Sequence, residues 1–265
     1  MNSIKSFYKN HPDKINEKRA SSPYLLRRYA HEQQYSSILQ YVKPGMKVLD
    51  AGCGEGTLSV LIAKKGALVT GVDISEPNVK AAQKYALDVG VKVDFVTGDS
   101  ERFYFEDNSF DLVVSSHVLE HLPDFDKGLR EVMRVTKKRA VVAIPTVYNA
   151  CSLVQVGGGM FWLKGKRMFT ALPYGFLRLI KAIICNQEGV NETYGGADVP
   201  HIFRFPSVMR KKIKRNGYRL IEQEASSLSL PYFESLFPFV KFMDKYKKKP
   251  VLRNMGYGTT FVIEK

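Results

Sequence analysis

Two apolar segments, each ending in an acidic residue, most constrain what this chain can fold into. The first comprises residues 47–50 and runs into a turn that contains Gly52, Gly54 and Gly56, and the second comprises residues 67–73. Glycines at a strand-to-helix turn let the backbone approach a ligand closely, and an acid about 20 residues further on can accept hydrogen bonds from ribose hydroxyls. The pattern therefore predicts a loop that holds a nucleoside-containing ligand.

The glycine spacing argues against two common nucleotide sites. A dinucleotide fingerprint needs a third glycine three positions after its second, and this chain has Thr57 there. A phosphate-binding G-x-x-x-x-G-K-[ST] sequence does not occur. Residues 48–56, VLDAGCGEG, resemble the first motif of the class I S-adenosylmethionine-dependent methyltransferases, in particular the small-molecule group that includes quinone-biosynthesis enzymes. The resemblance covers residues 42–146 well and the last two predicted strands loosely.

Apolar segments alternate with helical ones through the first half of the chain. Strands are predicted at 47–51, 68–74, 91–97, 110–115 and 140–144, and helices at 57–65, 76–89 and 125–136. Strands rich in Val, Leu and Ile between helices favour an α/β fold whose parallel sheet is buried on both faces. A helix at 206–215 and strands at 218–223 and 259–264 complete the pattern. The resemblance implies a Rossmann-like, doubly wound sheet of seven strands with the last strand antiparallel.

The organisation predicted for the chain has three parts. Residues 1–40 form an N-terminal helical cap, and residues 41–146 with 200–265 form the cofactor-binding core. The β-α alternation stops after Pro145, and a structureless loop of this length is improbable in a compact domain. We therefore expect residues 147–199 to be an inserted, partly helical lid over the active site, after the fifth strand, that selects the substrate.

The resemblance implies that the turn after the first strand touches the cofactor. Asp50 fixes this turn and, directly or through water, the cofactor's amino group; the alternative is that it only caps the turn. Gly52, Cys53 and Gly54 form the turn itself. An arginine of the N-terminal segment, Arg28, can bind the methionine carboxylate by a bidentate pair, although an exposed helix face is the competing interpretation.

Two further acids are placed by the resemblance on the nucleoside. Asp73 accepts hydrogen bonds from the ribose hydroxyls, with an ordinary helix N-cap as the alternative, and Ile74 lies against the adenine face. Asp99 accepts from the adenine amine, with the Ser100 backbone amide beside it. An Asp-Ser turn without a ligand is the alternative for this pair.

The segment 115–123, SSHVLEHLP, resembles the family's segment after the fourth strand. His117 lies nearest the predicted methyl-transfer position and is also counted among the cofactor-binding residues, and His121 follows four residues later. Either histidine could take a proton from a substrate hydroxyl near neutral pH. The alternative is that both only shape the pocket or bond Glu120. No metal is expected, because the sequence offers no third ligand nearby and the family implies none.

Composition limits the cellular setting. Three cysteines without a C-x-x-C pair favour a reducing compartment over a disulfide framework or structural zinc. The N-terminus lacks the apolar region of a secretory signal, and no run of 18 or more uncharged apolar residues occurs. We expect a cytoplasmic protein, with peripheral contact at the inner membrane face as a further expectation.

The net charge of +14 indicates an anionic partner or a solubilising surface. Basic residues interleave with apolar ones at 176–184 and 232–249, which favours an anionic or lipid-linked small-molecule acceptor and membrane contact over nucleic acid.

The function implied is methyl transfer from S-adenosyl-L-methionine, which leaves S-adenosyl-L-homocysteine, to a small-molecule acceptor. The acceptor group is expected to be a hydroxyl of a sugar, a phenol or quinone precursor, or a lipid-linked glycan. Two alternatives stay open: a tRNA or rRNA methyltransferase, and a non-catalytic binding module with this cofactor fold.

Overall fold

The structure is a computed structural model that describes residues 3–10, 20–162, 164–165, 167–193 and 200–265. The described residues form two sheets. Their strands, in chain order, are β1 (Lys47–Ala51), β2 (Leu68–Asp73), β3 (Asp94–Thr97), β4 (Phe110–Ser116), β5 (Thr136–Pro145), β6 (Gly189–Thr193), β7 (Pro200–Arg204), β8 (Arg219–Ala225) and β9 (Gly258–Glu264).

The large sheet has seven strands in the order β3-β2-β1-β4-β5-β9-β8. Strands β1 to β5 pair in parallel, and β9 runs antiparallel between β5 and β8. The predicted doubly wound sheet with an antiparallel last strand is confirmed. The winding reverses between β1 and β4, and ligands of such sheets bind outside the carboxyl ends of the strands at that point.

Helices connect these strands as the alternation predicts. The helices are α1 (Ser3–Asn10), α2 (Leu25–Leu39), α3 (Thr57–Lys64), α4 (Glu76–Asp88), α5 (Phe125–Val135), α6 (Ala150–Val156), α7 (Met168–Ile184), α8 (Pro206–Arg215) and α9 (Phe237–Asp244), with 3₁₀ turns at Leu119–His121, Glu234–Leu236 and Leu252–Asn254. The predicted helices between residues 57 and 215 end within one residue of the observed ones.

Two strands begin more than one residue away from their predicted starts. β5 begins at Thr136 rather than at residue 140, because Thr136 turns to extended backbone directly after α5 and its hydroxyl donates to Arg139 O at 2.7 Å. β3 begins at Asp94 rather than at residue 91. The Val91 N–H donates to Ala86 O at 2.9 Å and so belongs to the turn that ends α4.

Helices cover both faces of the sheet, which explains why its strands are apolar throughout. On one face α5 and α8 pack through Leu129, Met133 and Ile213, which are buried. On the other face α2 and α3 pack through Ile38 and Ile62. Burial of each such side chain contributes about 1.5–3 kcal/mol, so the strand edge that carries the turn rests on a rigid support.

The segment after β5 contains the helices α6 and α7, in line with the predicted partly helical insert. It is followed by a small sheet that was not predicted from the sequence. β6 and β7 pair antiparallel, and an isolated bridge between Thr146 and Arg204 places β7 beside the end of β5. The predicted boundary between residues 199 and 200 falls within this small sheet. Residues 163, 166 and 194–199 of the predicted insert lie outside the described residues.

Helices α1 and α2 fall within the predicted N-terminal cap, residues 1–40. Residues 1–2 and 11–19 of that segment lie outside the described residues. The long connection from β8 to β9 holds α9 and two of the 3₁₀ turns.

Candidate active site

The turn after β1 is held against the end of β2 by backbone hydrogen bonds. The N–H groups of Gly52 and Cys53 both donate to Val72 O, at 2.7 and 2.9 Å. Gly52 has a φ of +82°, and a Cβ on it would lie 2.2 Å from a methyl carbon of Val118. Only glycine fits such a position, so this part of the turn is shaped by a close approach of two loops.

Asp73 ends β2 and ties the glycine turn to helix α4. Its Oδ2 accepts from the Gly54 N–H at 2.9 Å, and its Oδ1 accepts from the Ser75 N–H at 2.9 Å. Burial raises the pKa of this carboxyl, and the two backbone hydrogen bonds oppose the rise. The N-cap of α4 is Ser75, whose hydroxyl accepts from the Asn78 N–H, so the N-cap alternative for Asp73 is wrong. A carboxylate has about four acceptor sites, which leaves capacity for a ribose hydroxyl.

Asp50 lies under the turn and is only 1% exposed. Its Oδ2 accepts a 2.6 Å hydrogen bond from the Ser59 hydroxyl at the start of α3. Burial raises the pKa of Asp50 to about 7, although the bond from Ser59 works in the opposite direction. A buried carboxyl with this pKa is ionised more readily when a cation lies beside it.

A small cavity opens beside the turn. Its walls come from α2, the turn, α3 and the end of β4, and the lining residues are Gln34, Tyr35, Asp50, Gly52, Cys53, Leu58, Ser116 and His117. The structure thus brings four of the predicted site residues to one cavity: Asp50, Gly52, Cys53 and His117.

Some residues that line the cavity were not predicted from the sequence. Gln34 and Tyr35 belong to α2, and Gln34 Nε2 donates to Ser116 Oγ at 2.6 Å. Gln34 and Ser37 are buried polar residues three positions apart, next to the apolar face of the same helix. The sequence carried no sign of this role, because the burial of these polar side chains depends on how α2 packs on the sheet.

Asp99 and Ser100 follow β3, as predicted, but lie outside the walls of this cavity. Asp99 Oδ1 accepts from the Glu101 N–H at 2.9 Å, which is the turn geometry of the alternative interpretation. Asp99 Oδ2 lies 2.5 Å from Lys5 Nζ of α1. Ser100 is buried and Ile74 is half-buried. The roles of these residues toward adenine stay predictions.

In this structure Arg28 makes a hydrogen bond within the N-terminal segment. Its guanidinium donates to Ser22 O, and Arg28 is not among the residues that line the cavity. The predicted pair between Arg28 and a carboxylate of the cofactor stays a prediction.

His117 stands at the end of β4 in an unusual conformation. Its φ is +56°, a left-handed backbone that costs a non-glycine residue on the order of 1–2 kcal/mol. The His117 N–H donates to Ala143 O at 2.9 Å, which fixes the loop to β5. Strained residues of this kind concentrate at functional sites. Here the left-handed backbone changes the direction of the loop, and His117 lines the cavity.

Behind His117 lies a buried carboxylate that the sequence reasoning mentioned only as a bonding partner. Glu120 is 1% exposed, and its Oε1 lies 3.2 Å from His117 Nδ1. It also lies 4.0 Å from His121 Nε2 and 4.0 Å from His201 Nε2. Burial alone would raise the pKa of Glu120, but the contact with His117 and the nearby His121 and His201 lower it to about 2.

His201 also lies beside Glu120, and no local sequence pattern predicted this. It belongs to β7, and its ring centre lies 4.5 Å from that of His121. The sequence argument that no third ligand lies near His117 and His121 holds along the chain, but the fold brings His201 beside both Glu120 and His121.

Known proteins match this chain in sequence and in fold. A family model described as "Methyltransferase domain" matches residues 49–144. The ubiquinone biosynthesis O-methyltransferase of Pseudomonas entomophila is 38% identical over 161 residues, which is 60% of this chain and 67% of that protein. The protein of the same name from Pasteurella multocida is 35% identical over 126 residues, 43% of this chain and 52% of that protein. The chain spans about half the length of the first curated relatives that it matches.

Among solved structures, magnesium protoporphyrin IX methyltransferase from Synechocystis PCC 6803, with bound SAH, has a TM-score of 0.62 at 18% identity. The match covers 99% of this chain and 98% of that chain. At this identity the likeness concerns the fold.

A doubly wound sheet with a glycine turn after β1 and an acid at the end of β2 defines a nucleoside-cofactor-binding α/β protein. The sequence match covers β1 to β5 almost entirely, together with the glycine turn, Asp50 and Asp73. The chain belongs to the class I S-adenosylmethionine-dependent methyltransferases. S-adenosyl-L-methionine is the cofactor of this family, so the family and the cofactor predicted from the sequence are confirmed.

Proposed function

We propose that this protein transfers a methyl group from S-adenosylmethionine to a hydroxyl of a small-molecule acceptor. The observation that carries the proposal is the position of His117, which shares one cavity with Asp50 and the glycine turn. Glu120 lies behind its ring. O-Methyltransferases of quinone biosynthesis are among the relatives, which supports a hydroxyl as the acceptor group.

The cofactor supplies an electrophilic methyl group on a sulfonium, which is already a good leaving group. The protein therefore needs mainly to orient the two reactants and to exclude water, which is worth up to roughly 7–11 kcal/mol in favourable cases. Asp73 holds the ribose, and Asp50 lies toward the positively charged amino acid part. Asp99, Ser100 and Ile74 bind adenine, and Arg28 binds the carboxylate after leaving Ser22.

His117 removes the proton of the acceptor hydroxyl in this proposal. Glu120 keeps the ring oriented, because its Oε1 lies 3.2 Å from His117 Nδ1 and a carboxylate on one ring nitrogen fixes the tautomer of the ring. His121, the second predicted catalytic residue, lies beside Glu120 rather than on the cavity wall.

The segment 147–199 forms the acceptor side of the site in the proposed organisation, with residues 1–40 as a cap and the remainder as the cofactor-binding core. What supports it is the contact between the two parts. β7 follows the segment directly and pairs with β6 inside it. It brings His201 beside Glu120, and the Thr146–Arg204 bridge fixes that approach.

The activity is tested by following S-adenosylhomocysteine formation with sugars, phenols and lipid-linked hydroxyl compounds as acceptors. We expect turnover with at least one hydroxyl class. His117→Gln should lower kcat/KM by about 10²–10⁴-fold while the dissociation constant of S-adenosylmethionine stays within a few-fold. Lys80→Ala, on the exposed face of α4, is the control.

Two results would contradict the proposal. Cofactor binding without turnover on any acceptor, RNA included, would indicate a binding module. Turnover only on tRNA or rRNA would assign the nucleic-acid alternative.

The outer face of α7 supports peripheral contact with an anionic membrane. Large apolar side chains are exposed along this helix: Phe169, Tyr174, Phe176, Leu177, Ile180, Ile183 and Ile184. Lys181 is exposed among them, and the chain carries a net charge of +14. No helix in the described ranges is both long and apolar enough to cross a bilayer. An amphipathic surface of this kind binds at the headgroup region.

Co-sedimentation with phosphatidylglycerol vesicles tests this contact, with phosphatidylcholine vesicles beside them. We expect binding to the anionic vesicles that the double variant Phe176→Ser, Ile183→Ser loses. Leu87→Ser is a matched control, because Leu87 is even more exposed than these two residues but lies on α4. Salt-sensitive binding to tRNA without vesicle binding would contradict the membrane proposal.

A further inference from the structure

A series of polar contacts runs from the start of β9 through the segment 147–199 to the buried Glu120. The Tyr257 hydroxyl donates to Gln155 Oε1 at 2.6 Å, and Gln155 Nε2 donates to Glu192 Oε2 at 3.2 Å. The same Glu192 oxygen lies 3.4 Å from His201 Nδ1. His201 Nε2 then lies 4.0 Å from Glu120 Oε1. Side chains of α6, β6 and β7 are thus joined in one series to the turn that carries Glu120.

The series becomes more buried toward the active site. The Glu192 side chain is 20% exposed, whereas His201 is 8% and Glu120 only 1% exposed. Gln155 and Tyr257 are half-buried. Electrostatic contacts are stronger in the interior than in water, and a buried polar network favours one arrangement of its members. Glu192 is therefore placed to fix the His201 ring from the more exposed end.

The backbone holds β6 and β7 in the register that this contact needs. Glu192 lies directly opposite His201 in the antiparallel ladder, and side chains at opposite positions share one face of a sheet. Asn191 Oδ1 also accepts from the His201 N–H at 3.0 Å. The approach of Glu192 to His201 therefore follows from strand pairing and does not depend on a loop.

Glu120 needs support on this side because one of its oxygens faces three rings. Its Oε1 lies 3.2 Å from His117 Nδ1 but also 4.0 Å from the Nε2 atoms of His121 and His201. Rotation of the carboxylate away from His117 would release that ring. The His201 ring packs against His121 and Phe203, with ring centres 4.5 and 5.0 Å apart, so a fixed His201 restricts this rotation.

We propose that Glu192 is a positioning residue for methyl transfer, which holds His201 beside Glu120 and thereby keeps the His117 ring in one orientation. Gln155 and Tyr257 support Glu192 in turn. The segment 147–199 then supports the proposed base in addition to forming the acceptor side. This role deepens the proposed O-methyl transfer and rests on it, because Glu192 acts through His117 and touches no reacting atom.

The kinetic test is Glu192→Gln, which keeps the size of the side chain and removes its charge beside His201. We expect kcat to fall by about 10- to 100-fold, because a small misplacement of a catalytic group can cost about 10²-fold. The acceptor KM and the dissociation constant of S-adenosylmethionine should stay within twofold, since no substrate contact is lost. Gln155→Leu removes only the outer support and should lower kcat by less.

Glu188→Gln is the matched control. Glu188 lies directly before β6, and its Oε2 lies 3.6 Å from Arg204 Nε of β7. Among the residues that the structure describes, it pairs with Arg204 and Lys212 and with no histidine. This variant removes a charge at the same small sheet, so it should keep kcat within twofold. An equal loss of kcat in Glu188→Gln and Glu192→Gln would overturn the proposal.

A double-mutant cycle shows whether Glu192 acts through His117. In a His117→Gln background, Glu192→Gln should change the residual kcat by less than twofold, because the ring that it positions is gone. A purely structural role would lower thermal stability and reduce kcat alike in both backgrounds. Equal losses in the two backgrounds would therefore contradict the positioning role.

A measurement without acceptor separates this inference from the proposed function. Two-bond ¹⁵N–¹H spectra of the full chain report the tautomer of each histidine, and the His117 signals are those lost in His117→Gln. Glu192→Gln should change these signals, and Glu188→Gln should not. Changed His117 signals without methyl transfer on any acceptor would remove the function and leave the link from Glu192 to His117. Methyl transfer with unchanged kcat and unchanged signals in Glu192→Gln would remove the link and leave the function.

Discussion

Lys5 Nζ of α1 lies 2.5 Å from Asp99 Oδ2, at the end of β3. The same amine lies 2.7 Å from Glu101 Oε2. Tyr8, less than one turn further along α1, reaches His121. Helix α1 therefore contacts both the residue proposed to accept from adenine and the cluster beside the proposed methyl-transfer position, so its position and cofactor binding should be coupled.

Lys5→Ala should strengthen cofactor binding by about two- to fivefold. Lys5 occupies an oxygen of Asp99 that the adenine amine would use, and a partly exposed ion pair is worth up to about 1 kcal/mol. Calorimetry with S-adenosylhomocysteine measures the change. Lys9→Ala on the same helix is the control. In an Asp99→Asn background the gain should vanish, because the two residues share one interaction; a gain that survives there would separate Lys5 from the adenine position.

Asp73→Asn should weaken binding of S-adenosylmethionine by about 10- to 100-fold. The amide keeps one acceptor but loses the charge-assisted bonds to Gly54, Ser75 and the ribose, and a bond to a charged group is worth about 1.5–3 kcal/mol. Asn78→Ala removes only a 3.5 Å contact with the same carboxylate and should leave the affinity within twofold. Equal affinities for Asp73→Asn and the parent protein would place the ribose elsewhere.

Cofactor affinity should depend on pH through Asp50. Burial raises the pKa of this carboxyl to about 7 in the free protein, and a positively charged cofactor group beside it favours the ionised form. Binding below pH 7 must therefore release a proton, so affinity should fall by up to about tenfold per pH unit below 7 and level off above it. Calorimetry in two buffers of different ionisation enthalpy at pH 6 measures the released proton directly.

Two variants check the assignment to Asp50. Asp50→Asn should bind weakly with no such pH dependence. Ser59→Ala removes the hydrogen bond that lowers the pKa of Asp50, so the break in affinity should move above pH 7. The same inflection in Asp50→Asn as in the parent protein would assign the titration to another group.

The same pKa has a consequence for stability. It lies above the ordinary value of 3.8, so Asp50 contributes stability that is fully present below about pH 4. That contribution is lost as the pH rises through 7. Thermal unfolding of the cofactor-free protein, compared with Asp50→Asn, measures it.

The parts of the site that the sequence predicted are those that one continuous segment builds. The turn from Asp50 to Gly54 and the acid Asp73 carry their geometry in adjacent residues, because glycine conformation and strand ends are local properties. The helices α3, α4, α5 and α8 were predictable for the same reason.

The parts that the sequence did not predict depend on contacts between distant segments. His201 meets Glu120 only because β7 bridges to Thr146 at the end of β5. Gln34 reaches the cavity only because α2 packs on the sheet. The strands β6 and β7 are short, and their pairing stabilises them more than any intrinsic preference of their residues.

Gly175→Ala should disable the acceptor side of the site and spare the cofactor side. A Cβ on Gly175 would lie 1.9 Å from Leu153 O, a backbone atom of α6 that cannot turn aside, so α7 must move away from α6. Such overpacking costs about 1–3 kcal/mol. We expect the rate of methyl transfer to fall by at least tenfold while the affinity for S-adenosylmethionine stays within a few-fold, because the glycine turn and Asp73 lie in the core. Gly165→Ala is the matched control, since a Cβ there meets no atom within 4 Å. Unchanged turnover in Gly175→Ala would separate α6 and α7 from acceptor binding, and an equal loss of cofactor affinity would show that residues 147–199 act on the whole site rather than on the acceptor alone.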